Sequence, residues 1–233
     1  MNNPRIIVAL DFSGAEQALA LAAKLEPKSC RVKVGKELFT AAGPQVVEKL
    51  MRKGFDVFLD LKFHDIPSTV ANACKAAAGL GVWMMNVHAL GGRKMLSAAR
   101  KAVPMGTTKL IAVTLLTSME RSDLNEIGLH GDPQDVVQRL ALLVRDCELD
   151  GIVSSALEAP RIRQLMGGGF CVVTPGIRPA ETSVDEQKRM ATPHQAIENG
   201  ADYLVVGRPI TQAIDPVLML RRLNDEIEGS TGS

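Results

Sequence analysis

Residues 57–67 read Val57-Phe58-Leu59-Asp60-Leu61-Lys62-Phe63-His64-Asp65-Ile66-Pro67. The first five form a near-continuous apolar run, the pattern of a parallel strand buried on both faces rather than a half-exposed one. An alanine-rich helical stretch follows over residues 68–80. The same strand-then-helix unit recurs outward in both directions. Upstream, strands at 6–10 and 31–35 precede helical stretches at 15–25 and 43–53. Downstream, strands at 82–87, 110–115, 151–153, 170–174 and 203–206 alternate with helical stretches at 93–103, 133–147, 156–165, 193–199 and 216–227. Eight pairs in 233 residues average about 29 residues each, the size of a minimal βαβ repeat. A doubly wound open sheet would usually carry a Gly-rich dinucleotide turn after its first strand, and Asp11-Phe12-Ser13-Gly14 is not G-x-G-x-x-G. No linker or low-complexity stretch intervenes. The pattern predicts one α/β domain over residues 1–233, a closed (β/α)8 TIM barrel, with a frayed tail at 229–233.

The balance of 27 Lys and Arg against 26 Asp and Glu gives a net charge of +1. No field of that size recruits nucleic acid or an anionic membrane, so an anionic ligand must be held by local geometry. The opening MNNPRIIVALD lacks the features of a signal peptide, and the apolar runs are too short to span a bilayer. Cys30, Cys74, Cys147 and Cys171 are scattered among aliphatic residues with no C-x-x-C pair. They read as free buried thiols of a cytoplasmic protein.

In such a barrel the chemistry sits at the C-terminal ends of the strands. Those positions hold Asp11, Lys33, Asp60 with Lys62, His88, Thr117, Ser154 and Ser155, the stretch Pro175-Gly176-Ile177-Arg178, and Gly207-Arg208-Pro209. Side chains two apart on a strand share a face, so Asp60 and Lys62 are expected to point to the barrel axis, where Lys33 of the next strand joins them. Asp65 follows just past the strand, and Pro67 suits the first turn of a helix. Two lysines and two acids can thus alternate in one dry pocket. The bland alternative is a structural salt-bridge network. Its weakness is that buried ion pairs seldom stabilise a fold more than apolar packing would. Four charges at the working rim of a barrel suggest chemistry.

The run FLDLKFHDIP, with RVKVGKELF upstream and TPGIRP and VVGRPI downstream, resembles the bacterial type of the orotidine 5′-phosphate decarboxylase family over essentially the whole chain. A lone D-x-K-x-x-D is only moderately specific, because Mg2+-dependent sugar-phosphate lyases on the same barrel carry a similar motif. The ensemble with Lys33, Gln187 and Gly207-Arg208 is far more specific.

The resemblance implies conversion of orotidine 5′-phosphate to uridine 5′-phosphate and CO2, the last step of de novo pyrimidine synthesis, without metal or organic cofactor. It implies that Lys62 stabilises the developing C6 carbanion and delivers the proton, with Asp60 beside the departing carboxylate. Lys33 would keep the acids ionised and reach a ribose hydroxyl, and Asp11 would accept from the ribose. Arg178, Gly207 and Arg208 would hold the phosphate, in keeping with phosphate binding by loops seven and eight of barrels. Residues 179–190 read as a lid, with Pro179 at its start and Gln187 reaching the phosphate on closure. Thr117 and Ser118 would contact the pyrimidine. Asp65 and Thr69 would enter the partner's site across a homodimer.

The histidines invite plainer readings. His64 packs structurally, His88 either lines the pocket or is a satisfied core residue, and His130 and His194 fall on the surface in loops. None makes an H-x-x-x-H pattern, which argues against a catalytic metal. Two rival functions remain at this level: the Mg2+-dependent lyase, and a non-catalytic nucleotide sensor that kept only the phosphate grip.

Overall fold

The computed structural model describes residues 3–179 and 191–229. Among them, eight parallel strands close a barrel in sequence order: β1 (Ile6–Ala9), β2 (Arg31–Gly35), β3 (Val57–Phe63), β4 (Met84–His88), β5 (Lys109–Val113), β6 (Gly151–Val153), β7 (Cys171–Thr174) and β8 (Tyr203–Val206). β1 pairs with β8 through Ile6–Leu204, Ile7–Val205 and Val8–Val206, which seals the sheet and leaves no edge. The expected TIM barrel is the fold found.

The helices are α1 (Ala15–Ala22), α2 (Lys36–Ala42), α3 (Pro44–Arg52), α4 (Pro67–Gly79), α5 (Gly92–Ala102), α6 (Arg121–Glu126), α7 (Pro133–Asp146), α8 (Ala159–Met166), α9 (Pro193–Glu198), α10 (Arg208–Thr211) and α11 (Pro216–Glu228). Prolines at the first turn start several of them, where a missing N–H costs nothing. Asp132, Thr192 and Asp215 cap α7, α9 and α11 by accepting first-turn N–H groups. The sequence reading places one helix at 43–53 and overlooks α2, α6 and α10. Gly43, at φ +65°, ends α2 and begins α3 before Pro44. His194 lies in the first turn of α9, not in a loop.

Alternation along the strands sorts their side chains into two cores. A large cluster fills the layer between sheet and helices. A smaller one, of Ile7, Phe58, Met84, Ile111, Val173 and Tyr203, packs inside the barrel. The floor of the lumen is closed by Arg31, whose guanidinium lies 4.2 Å from the Trp83 ring centre and 5.0 Å from that of Tyr203. Arg31 is also tied to Asp56 at 3.1 Å and to Asn3 and the Pro4 carbonyl. The lumen is therefore plugged at one end and offers a floor of apolar side chains to whatever stands above it.

The four cysteines are unpaired. Burial pushes the Cys30 and Cys74 thiols up to about 12, so they are inert at neutral pH. Among the described residues no helix is long and apolar enough to cross a membrane.

Candidate active site

Two residues beyond Ile7, Phe58, Met84 and Tyr203, on the same strand faces, stand Ala9, Asp60, Asn86 and Val205, and Lys33 stands two beyond Arg31, level with Ala9. Here the charges of the site begin. Lys33 Nζ donates to Asp11 Oδ1 at 2.9 Å and lies 3.3 Å from Asp60 Oδ2. Lys62 Nζ donates to Asp60 Oδ1 at 2.6 Å. Asp11, Lys33, Asp60 and Lys62 thus form a row of alternating sign. Lys33 and Asp60 are buried, whereas the Lys62 side chain keeps 28% of its surface and can meet a ligand. Burial alone would raise the Asp60 pKa. The charges of Lys33 and Lys62, with hydrogen bonds from Lys62 and Asn86, outweigh it and hold the carboxyl below its ordinary value. Asp60 is an anion at neutral pH.

Lys62 reaches this position by a route that simple alternation does not predict. The β3–β4 register pairs Leu59 with Met85 and then Phe63 with Val87, so β3 carries two extra residues between those pairs. Lys62 sits in this bulge at φ +51°, a left-handed conformation rare for a lysine. Its N–H leaves the ladder and donates to Asn86 Oδ1 at 2.8 Å. β3 accordingly runs on to Phe63 rather than ending at residue 61.

Asp11, Lys33, Asp60 and Lys62 line one side of a cavity of about 360 Å³, with Thr117, Pro175, Gly176, Arg178, Gly207 and Arg208 on its other walls. Arg178 and Arg208 give the cavity two guanidinium groups, and Asp11, Lys33, Asp60 and Lys62 give it a row of mixed charge. Gly207 is one of the cavity walls, and a Cβ there would make only ordinary contacts, 3.6 Å from Ala9 Cβ and 3.9 Å from Asp11 Oδ2. Gly35 is held more tightly. A Cβ there would stand 3.2 Å from both Asp11 Oδ1 and Lys33 Nζ, crowding their ion pair.

Not every expected residue meets in this cavity. Ser118 and Pro179 do not line it, and Gln187 lies outside the described residues. Asp65 and Thr69 are exposed and also do not line it. The Asp65 carboxylate accepts from the N–H of Ile66 at 2.6 Å, and no side chain caps α4. Within one chain the fourth charge of the row is Asp11, in the place that the sequence reading gave to Asp65. His88 is structural: its Nδ1 accepts from the Leu90 N–H, and its ring stacks on His64 with centres 5.4 Å apart. Asn86 and Gly35 are absent from the sequence reading. For Asn86 a signal exists, a lone amide inside the apolar run Met84-Met85-Asn86-Val87.

A family model described as orotidine 5′-phosphate decarboxylase / HUMPS family matches residues 4–223. The chain belongs to this family. A relative from Nitrosospira multiformis named orotidine 5′-phosphate decarboxylase is 72% identical, over 98% of this chain and 95% of that protein. Another of the same name, from Nitrosomonas eutropha, is 63% identical over 97% of this chain and 98% of its own length. The crystal structure of orotidine 5′-phosphate decarboxylase from Lactobacillus acidophilus superposes with a TM-score of 0.86 at 40% identity, covering 97% of this chain and 99% of that one. Family membership makes the charged cavity the family's active-site candidate. A second cavity of about 380 Å³, beside Arg5, Leu25 and Arg221, opens elsewhere and shares none of its charge row.

Proposed function

We propose that this enzyme, a carboxy-lyase of pyrimidine biosynthesis by its family, converts orotidine 5′-phosphate to uridine 5′-phosphate and CO2 with side chains alone, using no metal ion or organic cofactor. The observation that carries the reading is the row Asp11–Lys33–Asp60–Lys62 in one cavity with Arg178 and Arg208. The phosphate binds the two guanidinium groups and the backbone at Gly207, with Gln187 as a further contact. Asp11 and Lys33 take the ribose hydroxyls, and Thr117 and Ser118 the pyrimidine. This pose brings C6 to Lys62 and the substrate carboxylate to Asp60.

As the bond from C6 to the carboxylate breaks, its electron pair stays on C6, where the ring carbonyls cannot delocalise it. The Lys62 ammonium, held beside Asp60, stabilises that charge and then transfers a proton to C6, leaving a neutral amine that solvent reprotonates. The row is already assembled, so its charges need little reorganisation as the reaction proceeds. Asp65 and Thr69 complete the site of a partner subunit in a homodimer. Their exposure, and that of Ile66 between them at 64%, supports this arrangement. The four unpaired thiols accord with a cytoplasmic location.

The ultraviolet absorbance of orotidine 5′-phosphate tests the reading. Adding the enzyme should bleach it, at the same rate with and without EDTA. Activity abolished by EDTA would indicate a metal-assisted lyase instead. Constant absorbance while the nucleotide binds would mean a sensor.

A further inference from the structure

We propose that Asn86 is the positioning residue that sets Lys62 and Asp60 in their working geometry, an inference that rests on the reaction proposed above and deepens it. Asn86 is fully buried in the middle of β4 and does not line the cavity, so it acts through its neighbours and not on a ligand. It stands opposite the β3 bulge, between the two β4 residues that bracket the break in register. There it uses both ends of its amide. Oδ1 accepts the Lys62 N–H at 2.8 Å, taking the place of a ladder carbonyl that the bulge has moved away. Nδ2 donates to Asp60 Oδ1 at 2.7 Å, on the same oxygen that receives Lys62 Nζ.

One side chain therefore fixes the backbone of the lysine and the carboxylate that aims its ammonium. The Asp60 carboxylate is locked with Oδ1 toward Lys62 and Oδ2 toward Lys33. The amide can point only one way, because a flip would set a donor against the Lys62 N–H and an acceptor against the carboxylate. No other side chain of similar size serves as well. Alanine leaves a buried N–H and a carboxylate short of partners. Aspartate can accept from Lys62 N–H, but sets a second anion against Asp60 unless it carries a proton. Protonation of the introduced carboxyl would restore the lost donor.

The test is Asn86→Asp with Asn86→Ala beside it. Both are read by kcat, by KM, by the affinity for uridine 5′-phosphate measured calorimetrically, and by urea midpoint against pH. Folded Asn86→Ala should lose at least a hundredfold in kcat while product affinity changes less than about threefold, because the phosphate and ribose contacts are elsewhere. Asn86→Asp should show kcat recovering as pH falls, where wild type shows no such rise. Its urea midpoint should also gain on wild type over the same range, since the folded state now binds an extra proton. That readout needs no turnover, so it stands even if the wild-type enzyme leaves orotidine 5′-phosphate untouched, which would defeat the proposed reaction alone. Three results overturn the inference: wild-type kcat in folded variants, an Asn86→Asp profile and midpoint parallel to wild type, or failure of both variants to fold, which would make Asn86 a folding residue.

Discussion

Lys62 carries three constraints at once: a left-handed backbone, an N–H held by Asn86 and an ammonium held by Asp60. A non-glycine residue held there costs on the order of 1–2 kcal/mol. A merely structural lysine has no need of that cost, which argues for function at this residue. Lys62→Ala removes both the electrostatic stabiliser and the proton donor, so kcat should fall by ~10^4 or more. The urea midpoint should move little, because Asp60 keeps Lys33 and Asn86 as partners. A variant within tenfold of wild-type kcat would remove Lys62 from the mechanism.

His88 supplies a pH prediction at the same scale. Burial, then the charges of His64, Lys62 and Lys36, lower its pKa to about 4. Above pH 6.5 the ring is neutral both folded and unfolded, and its contribution is fully present. Between pH 6.5 and 4 the unfolded chain takes up a proton that the folded one refuses, so stability falls as pH falls. His88→Asn keeps an acceptor for the Leu90 N–H and removes the titration. Its urea midpoint should therefore drop less than that of wild type from pH 7 to pH 5. Equal drops would show that His88 does not titrate this way. The charges of the site were legible because charge is scarce in apolar strands, as with Lys33 and Asp60. The lone amide of Asn86 marks a position but not its role, and Gly35 gives no mark at all, since their roles depend on a bulge and an ion pair formed between separate strands.

Among the elements, strands could be read from their double-sided burial and long helices from their period, while short pieces escaped. α10 has only four residues and follows β8 across one glycine, and α6 has six. Neither is long enough to show an apolar stripe, and tertiary position rather than propensity makes them helical. β6, at three residues, was found because Gly151-Ile152-Val153 stands between clear helices, yet its first residue matters more than its pattern suggests. A Cβ on Gly151 would overlap the Cys171 carbonyl oxygen on β7. The obstacle is backbone, which cannot rotate aside. Gly151→Ala should therefore part β6 from β7 and cost ~3 kcal/mol, at the upper end for overpacking. Urea denaturation measures it, and a loss below about 1 kcal/mol would mean the strands separate easily.

At the scale of the whole molecule, a floor plugged by Arg31, Trp83 and Tyr203 leaves the charge row to be covered from the other end of the barrel. The residues just past β3 bear on what covers it. Asp65 and Ile66 on the turn into α4, and Thr69 in its first turn, are exposed and do not line their own cavity. A twofold dimer that joins the barrel mouths would carry them into the facing sites and exclude water from the charges, strengthening each interaction there. Complementation decides whether it does. Lys62→Ala and Asp65→Ala homodimers should each be nearly inactive. When the two variants are unfolded together and reassembled at random, half of the dimers hold one chain of each kind. In such a dimer one site carries both lesions and the other carries neither. About a quarter of all sites should then regain wild-type activity, as twofold symmetry requires. If subunits exchange and no activity returns, Asp65 serves its own chain and the shared site is wrong.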